Sequence, residues 1–153
     1  MVELLGNLMA HMRWADTLVA DALERDAPDD AEAVPLFAHI ASVEHLWYAR
    51  ITARTPAHAV WPALGIGQAR AIATAHAELF ERLLADGEAG LERRVSYRNS
   101  AGRDFQNSVA DIITHVAMHG SHHRGQIVRR IRTLGHEPPY VDYIQFARRD
   151  QTA

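Results

Sequence analysis

Histidine is the residue type in this chain most able to do chemistry, with ten copies among 153 residues. Four of them, His115, His119, His122 and His123, lie close together near the C-terminus. On a helix, residues four positions apart lie one above the other, so His119 and His123 can reach one ion. At about 100° per residue, His123 falls within the apolar stripe of this segment, with His119 at the edge. His115 and His122 lie further toward solvent.

A third candidate ligand lies on an earlier predicted helix. His39 belongs to the apolar stripe of that helix, whereas His45 is about 120° away from it. In a helical bundle, side chains of facing helices converge on the core. His39, His119 and His123 are therefore predicted to form a three-histidine metal site with open coordination positions, which indicate catalysis or exchangeable ligands rather than a structural ion.

The same residues also permit an interpretation without a metal. A single inward histidine is often a hydrogen-bonded core residue, and an i, i+4 pair alone is ambiguous. Burying His119 and His123 together without a metal or an acidic partner is costly, because a protonated ring would lose its hydration. The three histidines together therefore favour a metal.

Other catalytic arrangements fit the sequence less well. A di-iron carboxylate bundle needs Glu-x-x-His motifs, and none occurs. The His-Glu-x-x-His motif of zinc proteases is also absent, because His136 and Glu137 are followed by two prolines. Ser121 and His122 do not suggest a catalytic triad, because adjacent helix positions point apart.

Composition excludes several further classes. There is no cysteine, which removes disulfides and thiolate chemistry of the protein's own, and all sixteen basic residues are arginine, which removes Schiff-base lysines and a Walker A loop. The net charge of −3 argues against a nucleic-acid partner. No stretch is long and apolar enough for a membrane span, and no export signal is recognisable, so we expect a cytoplasmic protein.

Periodicity predicts the elements that must position the histidines. The first helix is expected at 2–25, the second at 35–54, the third at 67–86 with Gly87 closing it, a β-hairpin between 91 and 107, the longest helix from its cap Ser108 to 134, and a short helix at 141–149. The predicted fold is all-α. It is a single domain over 1–153, an up-and-down four-helix bundle with a small β-hairpin before the fourth helix and a short C-terminal helix.

Three segments around these histidines resemble the DinB/YfiT-like family of metal-binding four-helix bundles. The segment from His115 to Ile127 resembles the family signature His-V-x-x-His-x-x-His-His-Arg-Gly-Gln. The segment from His39 to Arg50 resembles the family pattern of histidine, acid, tryptophan and basic residue. Near the start, Trp14-Ala15-Asp16 resembles part of a Tyr-Asn-x-Trp-Ala-Asn pattern, with His11 and Met12 in place of Tyr-Asn. The likeness spans essentially the whole chain.

The resemblance implies that His39, His119 and His123 hold a divalent transition metal, zinc or nickel, and that the protein is a homodimer acting on a small molecule. It also implies a metal-dependent enzyme that uses a low-molecular-weight thiol, as an S-transferase or a related isomerase or hydrolase. Without a cysteine, the chain would have to recruit that thiol as a cosubstrate. The alternative is a non-enzymatic metal-binding stress-response protein.

Other polar and aromatic residues are assigned mainly structural roles. Glu44 is not on the face of His39 and is expected to support a histidine or an arginine. Arg124 and Gln126 are expected to hold neighbouring helices, and Trp14 and Trp47 to lie in the core. The arginines near the end of the longest helix, Arg129, Arg130 and Arg132, are expected to form a solvated face.

Overall fold

The computed structural model describes residues 1–149. The elements in this range are α1 (Val2–Asp26), α2 (Ala33–Ile51), α3 (Ile66–Leu84), α4 (Gly87–Glu92), β1 (Arg94–Arg98), β2 (Asp104–Ser108), α5 (Val109–Thr133) and α6 (Tyr143–Arg148). The helices α1, α2, α3 and α5 form the bundle, β1 and β2 pair as an antiparallel hairpin before α5, and α6 is the short C-terminal helix. The predicted fold class, a helical bundle with a hairpin before its last long helix, is confirmed.

The four long helices are arranged so that consecutive helices are not always neighbours. α1 packs against α3 and α5, and α2 packs against the same two helices, so α1 and α2 lie diagonally opposite each other. α1 and α3 run in opposite directions, because Arg70 near the start of α3 contacts Asp21 and Glu24 near the end of α1. This arrangement places α2 beside α5, the two helices that carry the candidate ligands.

The directions of the helices correct the up-and-down path predicted above. α2 and α3 run in the same direction, since His45 contacts His76 and, about one turn further along both helices, Tyr48 contacts Phe80. The chain must therefore return along α2 before α3 begins. Residues 52–65 make this return: fourteen extended residues span roughly 45 Å, more than the ~28 Å length of α2.

Several element boundaries differ from the predicted ones by one to three residues, and the ends of α2 and α3 show why. α2 ends at Ile51 rather than at 54, because Ala53 adopts a left-handed backbone with φ of 54° that ends the helix. α3 ends at Leu84, and the short helix α4 was not predicted. Gly87 does supply the expected positive φ, 68°, but this residue also begins α4. A glycine stop signal does not show whether a second helix follows it.

The start of α5 follows the predicted cap. The Ser108 hydroxyl accepts a hydrogen bond from the Asp111 backbone N–H at 3.0 Å, and the Asp111 carboxylate accepts one from the Ser108 N–H at 3.0 Å. This reciprocal pair satisfies two backbone donors that a helix start leaves without partners. The hairpin and the cap together fix where α5 begins. They therefore help to set which face of α5, with its histidines, points into the bundle.

Two apolar clusters fill the bundle, one toward each end. One cluster contains Phe37 and Ile127, and the other contains Phe80 and Ile112. Buried polar side chains of the middle turns lie between them. Trp14 and Trp47, predicted to lie in the core, are only partly buried. Within the described residues, no helix is long and apolar enough to cross a membrane.

Polar contacts attach peripheral segments to the bundle. His11 Nε2 lies 2.8 Å from the Val141 carbonyl oxygen and its ring packs against Phe146, which holds α6 against α1. Arg130 pairs with Asp30 at 2.8 Å and so joins α5 to the turn before α2. The prediction of a wholly solvated arginine face is therefore wrong at Arg130.

Candidate metal centre

Three histidine side chains converge between α2 and α5. One nitrogen from each of His39, His119 and His123 lies within 4.8 Å of the other two. The closest pair is His39 Nε2 and His119 Nε2, at 3.2 Å. His39 is buried, and the other two are partly buried. The structure thus brings together the three residues that sequence periodicity selected.

The local helices explain this convergence. α2 and α5 run antiparallel, since His39 meets His123 while Trp47, two turns further along α2, meets His115. His119 and His123 lie one turn apart, with ring centroids 4.5 Å apart. His39 faces the space between them from the opposite helix. This is the arrangement in which three imidazoles can share one ion.

A hydrogen bond to the α2–α3 connection fixes the orientation of His39. Its Nδ1 lies 2.8 Å from the Val60 carbonyl oxygen, which can only accept, so Nδ1 carries the proton. Nε2 then carries no proton, and its lone pair faces His119 Nε2 at 3.2 Å. The Trp61 ring stacks on His39 with centroids 3.8 Å apart and planes 6° apart, which restricts rotation of the imidazole.

Gln126 fixes the orientation of His123 in the same way. The Gln126 amide oxygen accepts a hydrogen bond from His123 Nδ1 at 2.8 Å, and its NH₂ group donates to His122 Nε2 at 3.3 Å. His123 Nε2 is therefore free to ligate. The expectation that Gln126 holds a neighbouring helix is wrong, because both contacts are to α5 itself. Partners of this kind orient metal ligands in proteins generally.

The electrostatic environment keeps His39 and His119 neutral. Burial lowers the pKa of His119 to about 4, and the nearby histidines add to the shift because positive rings repel each other. Burial also lowers the pKa of His39, although the Val60 hydrogen bond acts in the opposite direction. Unprotonated imidazole is the form that binds a metal, so His39 and His119 are ready to ligate at neutral pH.

The two remaining histidines of α5 lie outside the converging group, as predicted. His122 is exposed and contacts Gln126. His115 is also exposed, and its ring packs edge-on against Trp47 at 5.2 Å. A cavity of about 260 Å³ adjoins His115 and Trp47, and its other walls are Tyr97, Asn107, Asp111 and Ile112. Because His115 also contacts His119, at 5.6 Å between ring centroids, this cavity lies beside the candidate centre.

A buried ionic group joins α5 to α1, and a second buried carboxyl from α2 lies beside it. Arg124 donates to the Asp16 carboxylate at 2.8 Å and is only 1% exposed. Glu44 is 2% exposed, and within residues 1–149 neither of its carboxyl oxygens has a hydrogen-bond partner. Burial raises the pKa of Glu44 well above its usual range, and the charge of Asp16 acts in the same direction. Glu44 therefore lies with the Asp16–Arg124 pair rather than with His39, and Arg124 joins α5 to α1 as expected.

The donor set suits a divalent transition metal. Three neutral imidazoles are ligands that zinc and nickel accept well, and three protein ligands leave positions for exchangeable groups. For His39 and His123, the nitrogen opposite the ligating one is held by an oxygen acceptor. His39, His119 and His123 thus fit such an ion.

Sequence periodicity missed the two residues of the connection that touch the centre, Val60 and Trp61. Both lie outside any helix, so the apolar stripe gave no signal for them. Val60 acts through its backbone carbonyl, which any residue type would supply. The one signal that the sequence offered was a lone tryptophan beside Pro62, in a segment without helical periodicity.

The chain is thus a four-helix bundle with a three-histidine group, able to hold a metal ion, between its second and fourth long helices. The DinB family model matches residues 3–152, nearly the whole chain. The protein belongs to the DinB family. Comparison with curated proteins and with solved structures finds no significant match.

Proposed function

We propose that this protein is a metal-dependent enzyme that acts with a low-molecular-weight thiol, as an S-transferase or a related isomerase or hydrolase. His39, His119 and His123 would hold a zinc or nickel ion. When bound, such an ion supplies Lewis acidity that lowers the pKa of a water or thiol ligand. The low-molecular-weight thiol must come from outside, because the chain has no cysteine.

One observation carries this proposal: the ligating nitrogens are set by hydrogen bonds on the far sides of the rings. Val60 and Gln126 determine which nitrogen of His39 and of His123 faces the centre. A histidine cluster that merely filled the core would not need the inward nitrogens of both His39 and His123 left without protons. The neutral state of His39 and His119 supports the same interpretation.

The surroundings of the centre favour exchangeable small molecules over a sealed structural ion. His119 and His123 are only partly buried, so solvent reaches the group. The cavity next to His115 offers aromatic walls from Trp47 and Tyr97 and polar groups from Asn107 and Asp111. We propose that the electrophilic substrate binds in this cavity, where its reacting carbon can approach a thiol held at the histidines.

A thiol-transfer assay tests the proposal. Zinc-loaded protein is mixed with a thiol, such as cysteine or glutathione, and with monochlorobimane, whose chloride the thiol displaces to give a fluorescent thioether. We expect saturable turnover that a chelator abolishes, that His119→Gln loses and that His122→Gln retains. Both variants remove one imidazole of α5, but only His119 belongs to the converging group.

The assay also distinguishes the second candidate function. Stoichiometric zinc binding without turnover for any thiol or electrophile would favour the non-enzymatic metal-binding stress protein. The homodimer, the small-molecule substrate, the cytoplasmic location and the absence of nucleic-acid or membrane partners stay predictions. Sedimentation of the zinc-loaded protein tests the dimer.

A further inference from the structure

A second histidine group lies outside the candidate centre, where α2, α3 and their connection meet. His45 on α2 and His76 on α3 are joined by a hydrogen bond of 3.0 Å between His45 Nδ1 and His76 Nε2. His58, on the connection, packs edge-on against His45 with ring centroids 4.9 Å apart. No role in the candidate centre accounts for this group.

The protons in this group have one consistent arrangement. The Ala57 backbone N–H donates to His45 Nε2 at 2.8 Å, so that nitrogen must be the acceptor. His45 Nδ1 then carries the proton and donates to His76 Nε2, while His76 Nδ1 donates to the Ile72 carbonyl at 2.8 Å. Every ring nitrogen of the pair is satisfied, and both rings are neutral.

This arrangement argues against a second metal site. A metal on His45 Nδ1 would leave the proton of the neutral ring on Nε2, where it would point at the Ala57 N–H. Two donors would then face each other at 2.8 Å. The pair is therefore a hydrogen-bonded link that requires both rings to be neutral, with no proton on the acceptor nitrogens His45 Nε2 and His76 Nε2.

The hydrogen bond from the Ala57 N–H to His45 Nε2 is one of several contacts that attach residues 57–61, here called the strap, to α2. The Ser42 hydroxyl donates to the Ala59 carbonyl, and His39 Nδ1 donates to the Val60 carbonyl at 2.8 Å. At its far end, the strap places the Trp61 ring on the His39 imidazole. The strap thus runs antiparallel to α2, from His45 at one end to a candidate metal ligand at the other.

We propose that His45 is a positioning residue for the candidate centre: neutral and held by His76, it keeps the strap closed on His39, and its protonation releases the strap. The metal part of this proposal rests on the proposed function, whereas release of the strap is a property of the metal-free chain. A proton on His45 Nε2 would confront the Ala57 N–H with a second donor. A proton on His76 Nε2 would likewise place a second donor against the His45 Nδ1–H.

The surroundings make neutral rings the stable form at neutral pH. Burial lowers the pKa of His45, and the neighbouring His76 and His58 act in the same direction. Burial likewise lowers the pKa of His76, and His58 adds to the shift. The other ring against His76 is Tyr48 from α2, at 5.8 Å. Release is therefore expected below the ordinary histidine pKa of about 6.5.

Two substitutions of His45 separate the proton response from the hydrogen bond. In His45→Gln, the amide oxygen can accept from Ala57 as Nε2 does, but it does not take up a proton in this range. In His45→Leu, the Ala57 N–H loses its acceptor on α2. His136→Gln, which removes a histidine just after α5, is the control for general effects of losing one imidazole.

The Ala57 amide resonance of the metal-free, full-length chain reports on the strap, and far-UV circular dichroism reports on the helices. We expect the native protein and His136→Gln to lose the hydrogen-bonded shift of Ala57 between pH 6.5 and 5 while helix content stays constant. His45→Gln should keep that shift, and His45→Leu should lack it already at pH 7.5. Equal titration of Ala57 in the native protein and in His45→Gln would overturn the proposal.

Zinc affinity gives the second readout. At pH 7.5 we expect His45→Leu to bind zinc about tenfold more weakly than the native protein, the loss typical when a ligand-orienting contact is removed. His45→Gln should bind with native affinity at this pH. Native zinc affinity in His45→Leu would contradict a positioning role. If no variant binds zinc at all, the proposed function fails, while the Ala57 resonance still decides whether the strap responds to protons.

Discussion

Gly120 lies one helical turn before Arg124, and a methyl group at Gly120 would come within 2.8 Å of Arg124 Nη1. That guanidinium is buried and held by Asp16. The glycine therefore provides the space in which Arg124 crosses from α5 to α1. The same turn of α5 carries His119 and His123, so this packing also sets where the candidate ligands stand.

Replacing Gly120 and Gly125 of α5 with alanine, one at a time, should change the stability of the protein in opposite directions. Gly125→Ala adds a methyl group that meets nothing beyond its own helix turn within 4 Å among residues 1–149, and it should raise the free energy of unfolding by about 0.5–1 kcal/mol through helix propensity. Gly120→Ala gains the same propensity but pushes Arg124 from Asp16, and it should be net destabilising. Chemical denaturation of both variants measures the difference. Stabilisation by Gly120→Ala would show that the guanidinium moves aside freely.

Loss of Arg124 should be among the most damaging substitutions in the core. Arg124→Met leaves Asp16 buried without its partner, and removing one member of a buried pair costs about 3–5 kcal/mol. Adding Asp16→Asn should restore part of the loss, because the unpaired charge is removed. Arg129→Met, on the exposed surface of the same helix, is the matched control and should change stability little. Chemical denaturation of the native protein, the two single variants and the double variant gives their free energies of unfolding. Equal values for Arg124→Met and Arg129→Met would refute this account.

Glu44 should make stability fall as the pH rises. Burial and the neighbouring Asp16 raise the pKa of Glu44 well above its ordinary 4.5, so the folded protein keeps a proton that the unfolded chain releases. The free energy of unfolding therefore decreases with pH above 4.5 and through the raised pKa. Glu44→Gln should remove this contribution.

The test is the difference in unfolding free energy between the native protein and Glu44→Gln, followed from pH 5 to pH 8. We expect the variant to gain relative stability as the pH rises. Glu92→Gln, at an exposed carboxylate, should show a constant difference over the same range. A constant difference for Glu44→Gln as well would mean that the buried carboxyl is ionised without penalty.

Gln126 should affect metal affinity without being a ligand. In Gln126→Leu, His123 Nδ1 loses its oxygen acceptor, and the ring is no longer held with Nε2 toward the centre. Loss of such a partner weakens metal binding by roughly 10- to 100-fold. Competition titration of zinc against a chromophoric chelator measures the change, with unchanged circular dichroism as the control for folding. Native affinity in this variant would assign Gln126 a surface role only.

The candidate ligands were predictable because their signal is local. His119 and His123 share one face of α5, and His39 belongs to the stripe of α2, so helical periodicity and the convergence of bundle helices sufficed. The cap at Ser108 was legible for the same reason, because its serine stands at the start of the helix it caps. The family resemblance rests on these same segments.

The rest depended on the path of the connection 52–65, which periodicity does not encode. The expected up-and-down order assumed that the chain turns at the end of α2, whereas the connection is long enough to run back along that helix. This path places the Val60 carbonyl and the Trp61 ring on His39, and it makes α2 and α3 parallel. The pairing of His45 with His76 follows from that parallel packing and could not be read from either helix alone.

The most direct test of the three-histidine centre is the zinc content of tag-free protein, determined by elemental analysis after equilibration with zinc and removal of unbound ions. The native protein is compared with His119→Gln and with His122→Gln, which differ in whether the lost ring belongs to the converging group. We predict one zinc ion per chain in the native protein and in His122→Gln, and none in His119→Gln. Equal zinc content in the two variants, or no zinc in the native protein, would contradict the account.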